Sequence, residues 1–174
     1  MGSLKHHKAL AAFALSFSIA VCPALAQSLA IPNFHQVNEH VYRGGQPAPE
    51  AWPVLAKMGV KTVIDLRRED EHSTTAEAQA VAAAGMNYVN VPMKGVVSPT
   101  YEQIAKVLDL LNTEGTVFVH CKRGADRTGA VIACYRIAHD RWRGEQALRE
   151  AKSFGMGLAQ FGLKHYILSF NPTM

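Results

Sequence analysis

At 174 residues, with 48% hydrophobic and 18% charged side chains, the chain has the size of one domain and too much apolar content for wholesale disorder. Its formal charge of +4 falls to +2 without the first 26 residues, which is too small to argue for nucleic acid, and no basic stripe is interleaved with aromatic residues. No internal repeat or low-complexity linker divides it.

The first 26 residues are read as a cleaved secretory signal. Lys5 and Lys8 precede an uncharged apolar run, Ala9 to Val21, and Ala24-x-Ala26 is the small-residue pattern that signal peptidases accept. The run is short against the roughly 20 residues that span a bilayer, so no stable membrane insertion is expected once it is removed. Residues 27–174 then form the single domain, secreted or periplasmic. Lys plus Arg falls from 18 to 16 against 14 acids, and the formal charge from +4 to +2. Cys121 and Cys134 remain, too few for a disulfide framework.

Short strands are predicted at Phe34–Val37 and His40–Arg43, then a turn at Gly44-Gly45-Gln46-Pro47. Pro49 to Met58 reads as a helix and Lys61–Leu66 as a buried strand. A helix from Thr74 to Ala84, a strand at Asn87–Val91 and a helix from Pro99 or Thr100 through Leu111 follow. Thr116–His120 is another buried strand, and a helix is expected from about Thr128 to His139. Gly144–Ser153 and Gln160–Phe170 complete the helices. The alternation predicts an α/β fold, with a mostly parallel central sheet flanked by helices and a site beyond the strands' carboxyl ends.

The loop after Thr116–His120 reads His120-Cys121-Lys122-Arg123-Gly124-Ala125-Asp126-Arg127-Thr128-Gly129. Between a strand and a helix, its backbone N–H groups and the helix start would form an anion cradle of phosphate size. Gly124 relieves the curve, and Lys122, Arg123, Gly124, Ala125, Asp126 and Arg127 would surround the phosphate. Arg127 can hold two phosphate oxygens with its planar fork. Cys121 sits at the base, where the positive field is expected to lower its pKa from about 8.5 into the range of roughly 3.5–7.5. The thiolate would attack phosphorus to give a cysteinyl-phosphate, and the Thr128 hydroxyl could donate to the sulfur as it leaves.

These residues match the His-Cys-x5-Arg-Ser/Thr loop of the cysteine-dependent protein tyrosine and dual-specificity phosphatases. Val41-Tyr42-Arg43-Gly44-Gly45-Gln46-Pro47 and Gly59 to Arg67 resemble the N-terminal segments of small atypical dual-specificity phosphatases. Bacterial secreted members look similar across most of residues 33–170. The resemblance implies a sheet of about four or five strands flanked by helices, with no metal and no cofactor. It also implies a phosphorylated protein or a small phosphorylated metabolite as partner. Arg43 and Arg67 are expected in structural ion pairs or on the rim.

One departure stands out. Such enzymes usually carry a general-acid Asp after the strand corresponding to Asn87–Val91, yet the segment Pro92 to Pro99 holds neither Asp nor Glu. Asp126 is the first candidate, and myotubularin-like lipid phosphatases resemble this chain in having an Asp at that loop position. Its alternative role is to pair with Arg127 or cap the following helix. Asp65, Asp70 and Glu102 are weaker candidates. His120 is read as a strand-end residue that fixes the loop, and Cys134 as a small buried hydrophobe.

The expected activity is hydrolysis of phosphotyrosine or phosphoserine/threonine monoesters. The basic Lys122 and Arg123 keep an inositol-phosphate or phosphoinositide phosphatase open, and the missing acid keeps a catalytically weak phosphate-binding module open. A rhodanese-like sulfur transferase would not need the Arg127-Thr128 pair.

Overall fold

The computed structural model describes residues 30–172, so the expected signal segment lies outside the described residues. The strands are β1 (His35–Gln36), β2 (Val41–Gly44), β3 (Val60–Asp65), β4 (Asn87–Asn90) and β5 (Thr116–His120). The helices are α1 (Ala51–Lys57), α2 (Thr74–Ala83), α3 (Tyr101–Leu111), α4 (Asp126–Ala138), α5 (Gly144–Ser153) and α6 (Phe161–Ser169), with a 3-10 turn at Glu69–Glu71. The sheet order is β1-β2-β5-β3-β4, and only the β1–β2 pairing is antiparallel. The expected mostly parallel sheet is therefore present.

Strand alternation feeds two cores. Val117 and Val119 of β5 face one side with Val41, Ile64, Ile104, Val107 and Ile132. Phe118 faces the other with Tyr42, Trp52, Leu55, Val63 and Val81. Successive strand side chains point to opposite faces, so a run such as TVFVH fills both only when helices cover both. Phe118 is fully buried, a burial worth about 1.5–3 kcal/mol. A third apolar cluster lies outside α4, where Ala130 and Ala133 meet Ala147, Ala151, Leu163 and Ile167. Helix α4 is thus buried from Arg127 through Tyr135, which fixes the end of the helix that carries the loop.

Helix α4 begins two residues before the expected Thr128. The Gly129 N–H donates to the Ala125 carbonyl at 3.0 Å, closing a first turn that includes Asp126 and Arg127. A carboxylate at that position is favourable for the helix dipole. Helix α3 starts with a capping box: the Gln103 N–H donates to Thr100 Oγ1 at 3.2 Å, and the Thr100 N–H donates to Gln103 Oε1 at 2.9 Å.

Candidate active site

The carboxyl ends of β2, β5 and β3 finish level, because Gly44 pairs with His120 and His120 with Asp65. The loop 121–125 rises from this edge, as ligand loops do in parallel sheets. Three successive carbonyls of the loop are held from outside. The Gln46 N–H donates to Lys122 O at 3.1 Å, Asn33 Nδ2 to Arg123 O at 2.9 Å and Arg43 Nη2 to Gly124 O at 2.7 Å. In a trans peptide the N–H points opposite to the carbonyl. The N–H groups of Arg123, Gly124 and Ala125 are thereby turned toward the inside of the bend, where an anion would sit.

The bend is tight enough to need glycine on both sides. Gly124 has φ +71°, and a Cβ there would lie 2.5 Å from the Gly44 carbonyl carbon and the Gly45 nitrogen. A Cβ on Gly45 would lie 2.9 Å from the Arg123 carbonyl carbon. Gly44, which ends β2 instead of opening the expected turn, and Gly45 therefore form a wall packed against the 121–125 loop.

Cys121, Lys122, Arg123, Asp126 and Arg127 line one open cleft of about 330 Å³, joined by Gly95, Val96 and Gln160. Gly124 and Ala125 are buried in its wall. Thr128 is buried beneath the loop, and its hydroxyl donates to the Gly44 carbonyl at 3.4 Å. Cys121 and Cys134 are both free thiols; burial pushes the Cys134 thiol up, as fits a core residue.

Arg127 is aimed by Glu71. Its Nη1 donates to Oε1 at 2.7 Å and its Nη2 to Oε2 at 2.8 Å, with longer bonds from Nη1 to the Met93 and Leu66 carbonyls at 3.3 and 3.4 Å. This end-on grip leaves the Nε edge of the guanidinium for a second anion. The hydrogen bonds from Arg127 outweigh burial and hold the Glu71 carboxyl below its ordinary range. Burial alone would lower the Arg127 pKa, but Glu71 and the neighbouring Cys121 raise it.

The Glu71 N–H donates to the Arg68 carbonyl at 3.0 Å, which holds the turn that carries it, and a polar cluster lies under the loop beside it. The Asp65 carboxylate accepts from the Arg67 backbone N–H at 2.9 Å, from Arg67 Nε and Nη2 at 3.0 Å and from Tyr88 Oη at 2.9 Å. His72 Nε2 lies 2.6 Å from Asp65 Oδ2, and Arg67 also donates to Glu77. Burial would raise the Asp65 pKa, yet hydrogen bonds from Arg67 and the nearby His120 and Arg67 charges hold it down. Asp65, His72 and Glu77 bring possible metal-ligating atoms within 4.8 Å of one another, but the Arg67 guanidinium donates to both carboxylates and already supplies the positive charge of that cluster. His120 is fully buried, stacked on Phe118, with Nε2 3.0 Å from Glu77 Oε1.

Asp126 lies in the cleft, with Oδ1 accepting from the Gly157 N–H at 2.8 Å and Oδ2 from Arg123 Nη2 at 2.5 Å. It does not pair with Arg127. The other acid candidates are elsewhere: Asp65 is enclosed below the loop, Asp70 pairs with Arg68, and neither they nor Glu102 line the cleft. Glu102 sits at the α3 start, where its own backbone N–H and Thr100 lower its pKa. Arg67 is in the expected ion pairs. Among the described residues no carboxylate pairs with Arg43, and it is not on the rim. It is 1% exposed, donates to Gly124 and lies 3.8 Å over the Phe154 ring. Burial lowers its pKa to about 10, with Glu150 and Cys121 opposing. A cation there supports the loop carbonyl from below, which an exposed arginine could not do.

Sequence reasoning missed Glu71, Asn33 and Gln160. Glu71 follows Glu69 and Asp70 in a charged stretch with no periodicity to mark it.

The fold agrees with that of similar proteins. The family described as PTP-NADK, a DSP-PTPase phosphatase fused to NAD+ kinase, matches residues 26–162. The chain belongs to this family of dual-specificity phosphatase domains. It is 30% identical over 145 residues to the dual specificity protein phosphatase TpbA of Pseudomonas aeruginosa, covering 78% of this chain and 61% of that protein. It thus spans about three-fifths of that relative's length. The P. aeruginosa TpbA crystal structure superposes with a TM-score of 0.70 at 24% identity, covering 88% of this chain and 90% of that one. The catalytic core of the PP-IP phosphatase SIW14 from S. cerevisiae, in complex with citrate, gives 0.70 at 23% identity, covering 80% and 86%.

Proposed function

We propose that the protein hydrolyses phosphomonoesters through a cysteinyl-phosphate on Cys121. The single observation that carries this reading is the meeting of Cys121, Arg127 and three inward-turned loop N–H groups at one open cleft. The Cys121 sulfur attacks phosphorus and forms an S–P bond as the P–O bond to the leaving group breaks. The loop N–H groups and the Nε edge of Arg127 receive the equatorial oxygens. The leaving oxygen takes a proton from Asp126. Water then attacks phosphorus, forming an O–P bond as the S–P bond breaks, gives its proton to the Asp126 carboxylate and releases phosphate and the thiolate. Movement of the Thr128 hydroxyl from its long bond to Gly44 would let it donate to the departing sulfur.

Asp126 supports the acid role as the carboxylate in the cleft with one oxygen fixed by a backbone N–H. Its second oxygen faces Arg123, whose side chain is 62% exposed. A bound phosphate attracts Arg123 away and leaves that oxygen to carry the proton. TpbA, the similar P. aeruginosa protein, is named a dual specificity phosphatase, and a TpbA variant has been crystallised with phosphotyrosine. Phosphotyrosine and phosphoserine/threonine esters are accordingly the first substrates to try. Likeness to the PP-IP phosphatase SIW14 and the exposed Lys122 and Arg123 favour inositol phosphates as a second class. We place the protein outside the cytoplasm on the strength of residues 1–26.

The test is hydrolysis of p-nitrophenyl phosphate by the reduced protein. Vanadate-sensitive turnover is expected, and none from Cys121→Ser. Phosphate binding without turnover would support a recognition module instead.

A further inference from the structure

We infer that Val96, Leu158 and Phe161, on the rim of the cleft, form a docking surface for an anionic lipid bilayer, and that the phosphomonoester taken up is carried on a lipid headgroup. The substrate half rests on the phosphatase reading above; the docking half does not.

Leu158 is 89% exposed, Phe161 75% and Val96 64%. They come from two segments in backbone contact. Ser98 Oγ donates to the Gly162 carbonyl at 3.0 Å, and a Cβ on Gly162 would lie 2.6 Å from the Ser98 nitrogen. Val96 and Gln160 both line the cleft with Cys121, so the apolar tips stand beside its opening. Exposed apolar side chains gathered at one place mark an interaction surface, whereas scattered ones do not.

Cations flank these tips. Lys122 and Arg123 rise from the phosphate loop, and Lys94 is exposed on the segment that carries Val96, where it shares a second cleft with Glu69 and with the Arg68–Asp70 pair. Lys164 Nζ donates to the Leu158 carbonyl at 2.7 Å and lies 6.0 Å from the Phe161 ring centre. The carboxylate facing them in the cleft is Asp126, which is engaged by the Gly157 N–H and Arg123. Apolar tips among lysines complement negative headgroups above hydrocarbon. Peptide recognition instead lays a chain into pockets or along a sheet edge. Side chains as exposed as Leu158 and Phe161 protrude and do not wall such a groove.

Sedimentation with vesicles tests the docking half, using the Cys121→Ser protein so that no turnover intervenes. Binding is expected to phosphatidylcholine vesicles containing about one-third phosphatidylglycerol and is expected to weaken with salt. Leu158→Ser/Phe161→Ser in the same background should bind about tenfold more weakly with an unchanged melting temperature. No binding, or equal binding by the double variant, would overturn docking. Active protein should release phosphate faster from vesicle-borne phosphatidic acid than from soluble glycerol 3-phosphate, by about tenfold. If the double substitution reduced kcat/KM on a soluble phosphopeptide as much as on vesicles, the surface would belong to a peptide and the inference would fall. If vesicles bound but neither ester were hydrolysed, the phosphatase reading and the substrate class would fail, leaving docking intact.

Discussion

Glu71 grips Arg127 end-on, with carboxylate–guanidinium distances of 2.7 and 2.8 Å, from a 3-10 turn that shares no local sequence pattern with the 121–125 loop. The pairing fixes the plane of the guanidinium and leaves its Nε edge for a second anion. Removing the charge should loosen that aim without removing the arginine. For Glu71→Gln we expect kcat/KM on p-nitrophenyl phosphate to fall about 10- to 100-fold, much of it in KM, with a loss of stability near 1 kcal/mol. An unchanged KM would show that Arg127 holds its place without Glu71.

Gly124 gives a sharper test of the loop. With φ +71° and Gly44 and Gly45 already in contact, Gly124→Ala must push the loop off the β2 edge. Activity should be lost, with a destabilisation of about 2–4 kcal/mol in urea unfolding. Full activity in the Gly124→Ala variant would mean that the bend is not as tight as its contacts require.

Arg43 supports the same loop from inside. Arg43→Met keeps much of the side-chain volume over Phe154 but removes the donor to the Gly124 carbonyl. We expect reduced kcat and a modest fall in melting temperature, with partial rescue by Arg43→Lys, which can still donate. Equal behaviour of the Met and Lys variants would show that the donor is unimportant.

Asp126→Asn separates acid catalysis from loop structure. The amide keeps an acceptor for the Gly157 N–H, so the loop should persist. Alkyl phosphates, with poor leaving groups, should lose about 10²–10⁴-fold, and p-nitrophenyl phosphate much less. Equal losses on both would assign Asp126 a structural role.

Acid lability follows from the ion pairs of Asp65 and Glu71. Both hold carboxyl pKa values below those of the unfolded chain, which lie at about 4. The stability they contribute is fully present above that range. It is lost as pH falls through it, because the unfolded chain then takes up protons the folded one resists. Urea midpoints measured from pH 7 downward should stay level and then drop below about pH 4. A midpoint independent of pH there would contradict the ion-paired cluster.

Much of this was legible in the sequence. Alternation of apolar strands and helices marks a parallel sheet because each βαβ unit writes its own periodicity. Cys121 and Arg127 are readable because one short loop must hold them both. Glu71, Asn33 and Gln160 were not readable, because they reach the site across 56 and 90 residues of chain, as with Glu71–Arg127 and Asn33–Arg123, or by the packing of a distant loop. The burial of Arg43 was hidden for a related reason. Its strand position is plain, but its partner is a carbonyl in a loop 81 residues away. The early start of α4 depends on one hydrogen bond to Ala125, which no side-chain pattern announces.

In the proposed reaction a phosphoryl group passes through the Cys121 sulfur. Protein mixed with a phosphomonoester, quenched in acid during turnover and digested for mass spectrometry, should yield the Cys121 peptide heavier by one phosphoryl group. Cys121→Ser should neither carry it nor turn over. Sustained hydrolysis by Cys121→Ser, or the label on another residue, would contradict the account.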